Sequence, residues 1–412
     1  MKLSLPLLIC LLMGVLSAQE TFESELRRGL LALNGSDLVE ARRHLENASR
    51  LESNNPVVWA ALAQTYLRAN DRVNAEAAAD RAAKLATTNP AVEHALATFY
   101  SETGDLGKAA AAERRYASSK GADPQAAVRA ADLSLRAGEA ELAIQWGQNA
   151  LRQADTADLH HLMGEAYAAI NRPDDAIREF RDAVERNRQS WTYVFDLGKA
   201  QLRHGDFRGA QTTFNQGRER FPRNAQIQLA YGVAAYGQRQ FSDAIDAFLR
   251  VIRIDPSVEQ PYVFLSRILD HAGERLSEVV AAFAAWELAE PGNSLAACLH
   301  AKALSAASAD SAVVEAKLRH SIQLNSDYWE AHFELGALLL KKRDWSQAAA
   351  ELSRSIALNP NIAAAHFQLA RAYERLGKPE LAKAERAEHQ RLTTAETNTV
   401  PELPASTDRL VP

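Results

Sequence analysis

A small residue returns about every 34 positions along this chain. Gly29, Ala63, Ala97, Ala131, Gly164, Gly198, Gly232, Ser266, Ala301, Gly336 and Ala370 follow one another at steps of 33 to 35 residues. A second series keeps the same steps: Ala41, Ala75, Ala109, Ala143, Ala176, Ala210, Ala244, Val279, Val314, Ala348 and Ala382. Two series in step over eleven units mark a structural repeat. This constrains the fold more than the length of 412 residues does. A repeat array has no single core to outgrow, because each unit packs only on its neighbours.

Each period holds two apolar stretches at helical spacing, here termed helix A and helix B, joined by a short polar turn. Typical turns are Asn34-Gly35-Ser36-Asp37, Thr103-Gly104-Asp105 and His204-Gly205-Asp206. Glycine supplies a left-handed helix end, and aspartate caps the helix that follows. The small residue of helix A is expected where helix B crosses closely, with a large residue filling the space beside it. Pro56, Pro90, Pro124, Pro222, Pro256, Pro291 and Pro360 fall where one unit closes and the next begins. Proline suits a first helical turn and disrupts an interior.

The spacing of particular residues resembles that of a known family. One unit runs Trp59, Leu62, Ala63, Tyr66, Ala75, Ala82, Pro90. Others run Gly164, Tyr167, Ala176, Phe180, Ala183; Leu197, Gly198, Ala210, Phe214, Pro222; and Gly232, Ala244, Phe248, Pro256. On these residues the chain resembles the tetratricopeptide-repeat family over about residues 22–392. The resemblance implies an all-α fold, a right-handed α-solenoid (superhelix) of helix-turn-helix units. It also implies A helices lining the concave side and a function in binding proteins or extended peptides. The first repeat departs in lacking the aromatic residue of helix A. Repeats eight and nine depart in carrying Val279 and Val314 and one extra residue in the turn between their helices.

If the A helices line a groove, the residues off their packing face can be read by spacing. They are Phe195, Lys199, Leu202 and Arg203 in repeat six; Leu229, Val233 and Tyr236 in repeat seven; and Val263, Arg267 and Asp270 in repeat eight. Phe333 and Phe367 hold equivalent places nearer the C-terminus. An apolar strip with basic edges suits an extended peptide of some acidic character. The competing expectation is that these side chains pack against one another between adjacent A helices.

The flanks read differently from the repeats. Residues 1–18 carry Lys2, an apolar run from Leu3 to Leu16, and the small-residue end Leu16-Ser17-Ala18, the pattern of a secretory signal peptide. The expected mature chain is a solenoid over 19–392, exported to the periplasm or beyond, with a retained N-terminal anchor as the alternative. No other segment is long and apolar enough to span a bilayer. Residues 393–412 are polar and proline-containing, which predicts a disordered tail.

Composition and motifs exclude more than they assign. A formal net charge of -5 argues against a nucleic-acid groove, which needs a basic field. Cys10 leaves with the leader, so Cys298 stands alone, as a buried small residue or an interchain partner. His161 and Glu165 share a helical face at metal-pair spacing, but no third ligand is evident, and His160 is expected to pack where Trp59 packs in its own repeat. There is no phosphate loop, nucleophile elbow or paired-cysteine spacing. The sequence therefore reads as no enzyme, with no cofactor and no metal. The expected function is a scaffold or adaptor of the cell envelope that binds protein or peptide segments. The alternatives are an assembly or export factor of the pilus or polysaccharide-secretion type, or the non-catalytic subunit of an enzyme or sensor complex.

Overall fold

The structure, a computed structural model, describes residues 21–86 and 89–398. The leader over 1–18 and the last residues, 399–412, lie outside them. The elements among the described residues are twenty-two α-helices and two short 3₁₀ turns, with no strand. Helix–turn–helix pairs run from the helix over 21–34 with Leu38–Leu51 to Ala363–Arg375 with Pro379–Asn398. This is an all-α solenoid of helix pairs.

The turn chemistry explains where helices begin. Asp37, Asp105 and Asp206 each accept a hydrogen bond from the backbone N–H three residues on, at 3.1, 3.1 and 2.8 Å. Pro56 and Pro90 occupy the first turn of their A helices, whereas Pro124, Pro222, Pro256, Pro291 and Pro360 sit in the turns ahead of theirs. Gly104 and Gly205 take the left-handed conformation, at φ 86° and 79°. In the first turn it is Ser36, at φ 62°, and not Gly35, that bears the left-handed angle.

The chain forms two compact units, residues up to Arg188 (repeats one to five) and from Gln189 (repeats six to eleven). Within each, helices pack on their neighbours in the sequence. The small residue of helix A meets the residue 16 positions on in helix B. A Cβ added to Gly164 would lie 2.6 Å from Phe180, one on Gly198 2.3 Å from Phe214, and one on Gly232 2.6 Å from Phe248. Gly29 with Leu45 and Gly336 with Leu352 repeat the arrangement at 2.6 Å. The second series forms the other side of the seam: Ala41, Ala75, Ala109, Ala210, Ala244 and Ala348 are wholly buried.

A second fastener joins A to B within several repeats. The Nδ1 atoms of His94, His160, His332 and His366 lie 3.2, 2.7, 2.6 and 2.6 Å from carboxylate oxygens of Glu113, Glu179, Glu351 and Glu385. Each glutamate stands 19 residues after its histidine. Repeat one uses the pair with roles reversed, Glu25 to His44 at 3.0 Å.

Two segments differ from expectation. In repeat eight, helix A is only Gln260–Ser266, followed by the 3₁₀ turns Leu269–His271 and Gly273–Arg275 before helix B, Leu276–Ala289. The change exceeds one inserted residue. Ile268, Leu269 and Ala272 turn inward to the core, and Arg275 ties the segment to Glu278 and Asp246. At the C-terminus, helix Pro379–Asn398 runs past the expected boundary at 392, so 393–398 are helical and not disordered. Leu392 is buried, and the hydroxyls of Thr393 and Thr394 donate to the carbonyls of His389 and Gln390 one turn back.

Candidate peptide-binding surface

Two columns of residues run along the A helices of the second unit. Three positions before each small residue stand Phe195, Leu229, Val263, Cys298, Phe333 and Phe367. One position after it stand Lys199, Val233, Arg267, Lys302, Ala337 and Arg371. The first column begins inside the protein and ends at its surface. Phe195, Leu229 and Cys298 are buried, Val263 and Phe333 are half-buried, and Phe367 is 44% exposed.

The expected groove is therefore displaced. Phe195, Leu202, Leu229 and Val233 are core residues and offer a ligand no surface. The reason lies in the composition of repeat seven. Its helix A, Ala225–Gly237, carries no charged residue and is buried without interruption from Ile227 to Ala235. A helix that is apolar all round is buried all round. Tyr236 is half-buried in an aromatic cluster, 5.4 Å from Phe264 and 6.0 Å from Phe241 between ring centroids, and Phe264 stacks on Phe248 at 5.0 Å. Phe195 packs on Phe214 and Trp191. Tyr236 meets Phe264 across neighbouring A helices, whereas the ring contacts of Phe195 stay within repeat six. Lys199 is half-buried, and Arg203 and Arg267 are exposed. Asp270 is exposed but sits in a 3₁₀ turn.

Farther along, the columns open. A hollow of about 160 Å³ lies between the A helices of repeats eight, nine and ten, walled by Val263, Leu299, Trp329 and Phe333 with Arg267 and Lys302 at its edges. Lys302 Nζ is 3.3 Å from a carboxylate oxygen of Glu334. The Arg267 guanidinium lies 5.9 Å from the Phe264 ring, and that of Arg371 6.0 Å from Phe367. Cys298 also lines the hollow, and burial pushes its thiol well above its ordinary range, so it stays protonated and inert as a nucleophile. Burial also raises the Tyr328 phenol, reinforced by Cys298 and Glu330, and its hydroxyl donates to Glu330. What remains is a small apolar hollow with charged edges. It can take an apolar side chain, and its charged edge is mixed, since Glu330 and Glu334 line it together with Arg267 and Lys302. Lys302 was legible in the sequence, since it follows Ala301 as Arg267 follows Ser266. Trp329 was not, because it lies outside the two columns.

The histidine cluster of repeat five is structural in form. Ligand atoms of His160, Glu179 and Asp182 lie within 4.8 Å of one another. Both ring nitrogens of His160 are engaged, Nδ1 by Glu179 at 2.7 Å and Nε2 by Asp155 at 2.8 Å, and Arg186 grips Asp155 at 2.6 and 2.8 Å. His332 and His366 make the same histidine–glutamate bond, so the latch explains the cluster without a metal. His161 packs near Phe180, 5.5 Å between ring centroids. Among the described residues no helix is long and apolar enough to cross a membrane.

Helix pairs at a period near 34, closed by a small residue on helix A against a large one on helix B, define a helical-repeat solenoid. The tetratricopeptide-repeat family profile matches residues 161–205, 195–259 and 333–390. Over these segments the chain carries tetratricopeptide repeats, and its helices follow the same type of repeat elsewhere. A search of curated protein sequences finds no match. Among solved structures, yeast Tom70 is similar at 13% identity and TM-score 0.41, over 95% of this chain and 96% of that one. MamA is similar at 15% identity and TM-score 0.38, over 40% of this chain and 92% of its own. YrrB, described as a TPR protein with an unusual peptide-binding site, is similar at 19% and TM-score 0.37, over 44% and 95%.

Proposed function

We propose that this protein is an exported scaffold whose A-helix face in repeats eight to eleven holds an extended, partly acidic segment of a partner protein. The observation that carries the reading is the emergence of one apolar column, from buried Leu229 to exposed Phe367, beside Arg267, Lys302 and Arg371. Apolar anchors supply burial and the cations supply orientation. Export is supported by the leader pattern over 1–18. The test is affinity capture from an envelope extract with wild type and with the Arg267→Glu, Phe367→Ser double variant, each checked for folding. Partners retained by wild type should be depleted on the variant. Equal retention on a folded variant moves the partner to another surface.

A further inference from the structure

A larger hollow lies in the first unit, between the B helices of repeats three and four, Leu106–Ala117 and Ala140–Leu151. It measures about 980 Å³, and Pro90, Ala111, Leu142 and Trp146 form its apolar wall. Two polar side chains that line it each carry a buried atom with no hydrogen-bond partner, Glu93 Oε2 and Ser119 Oγ. Glu93 is 5% exposed, and its other oxygen accepts a bond from Arg115 Nε at 2.9 Å. Three cations line the hollow against this one carboxylate. Arg114 is committed to Glu139 and to Ser134 Oγ, the latter at 2.9 Å. The Arg115 side chain is 53% exposed, and Lys120 is exposed on the loop after helix B.

We propose that this hollow docks an extended segment of a partner protein in which an apolar side chain stands beside an acidic one. A buried acceptor without a donor and a buried hydroxyl without a partner are both costly as they stand. A peptide backbone supplies both missing groups, an N–H for the Glu93 carboxylate and a C=O for the Ser119 hydroxyl. Neither atom touches solvent in the free protein, so docking requires side chains at the hollow to move, Arg115 beside Glu93 among them. A carboxylate on the ligand then pairs with that guanidinium and with Lys120. The apolar side chain lies on the Trp146 and Leu142 wall. With Arg114 paired to Glu139, Arg115 and Lys120 face the single Glu93 carboxylate, so an acidic segment is favoured over a basic one. This surface shares no residue with the A-helix face of repeats eight to eleven, so the two readings stand or fall separately.

The test is selection of a phage-displayed random peptide library on the full chain, followed by binding measurements with synthetic copies of the enriched peptides. Enriched peptides should pair an apolar residue with a neighbouring aspartate or glutamate. Ser119→Ala should weaken them about threefold to tenfold, the loss of one hydrogen bond. It should not lower the melting temperature, since it removes an unpartnered hydroxyl. Lys120→Glu, on an exposed position, should weaken them more at low salt than at high salt. Arg267→Glu should leave them unchanged. The proposal is overturned by enrichment of basic peptides, by the absence of any enrichment, or by binding indifferent to both Ser119→Ala and Lys120→Glu. Peptides sensitive only to Arg267→Glu would overturn it while supporting the A-helix face.

Discussion

Gly198→Ala should destabilise this chain, although alanine is the better helix former. In an open helix interior the change gains roughly 0.8–1 kcal/mol. At Gly198 the new Cβ would lie 2.3 Å from Cζ of Phe214, whose ring is wholly buried, so the ring or the helix must shift within a packed core. Overpacking of this kind costs about 1–3 kcal/mol, so the net effect ranges from about zero to a loss of about 2 kcal/mol. Gly198→Leu and the equivalent Gly232→Leu, opposite Phe248, should lose more. Gly107→Ala is the control, for its Cβ would meet nothing closer than Asp105 Oδ1 at 4.0 Å. It should be neutral or stabilising. The assay is thermal melting followed by far-ultraviolet dichroism, where 1 kcal/mol moves the midpoint by roughly 2–4 °C for a unit of about 200 residues. Phe214→Leu added to Gly198→Ala should cost less than the two changes summed, by about 0.5–3 kcal/mol of coupling. Gly198→Ala melting with or above Gly107→Ala, or both leucine variants melting with wild type, would refute the close crossing.

Three further outcomes follow from other parts of the structure. His332 lies between Glu351 at 2.6 Å and the Ser326 carbonyl at 3.0 Å, and its pKa is raised above 6.5, chiefly by the Glu351 hydrogen bond and against burial. A raised folded value means stabilisation that is full below 6.5 and lost as pH rises through the folded value. Melting differences between wild type and His332→Gln should therefore shrink from mildly acidic to alkaline pH, and a difference that grows with pH contradicts the latch. Arg343 holds φ 66° in the turn of repeat ten, so Arg343→Gly should raise stability by up to about 1 kcal/mol in chemical denaturation, and a loss would show that the side chain matters more than the angle. N-terminal sequencing of protein from its native host should begin at Gln19, and recovery of intact Met1 contradicts the leader.

The period and register of the fold were readable because each is enforced by a steric requirement. Only a small residue survives opposite Phe180, Phe214 or Phe248, so Gly164, Gly198 and Gly232 announce the crossings. The histidine–glutamate latches were not read, although His160–Glu179, His332–Glu351 and His366–Glu385 share one spacing. A single histidine on an apolar face carries no such signal until its partner is placed. The candidate surface was half legible. The columns at Leu229 and Arg267 were correctly spaced, but spacing places a residue on a helix face without telling what covers that face. Coverage depends on the neighbouring helix, and around repeat seven the aromatic rings of Tyr236, Phe241 and Phe264 close over it.

Both fasteners of this fold have their two halves inside one repeat. Gly198 and Phe214, Gly336 and Leu352, His332 and Glu351, and His366 and Glu385 all pair within a single helix A and its own helix B. A whole repeat can thus be duplicated or excised without dividing these pairs, leaving the contacts between repeats, such as Gly147 with Met163 and His300 with Glu287, to be refitted at one new junction. Loss of half a repeat strands one member of each pair. Over generations, then, a chain built this way can lengthen or shorten in steps of one complete repeat, and its length is the property most open to inheritance and change.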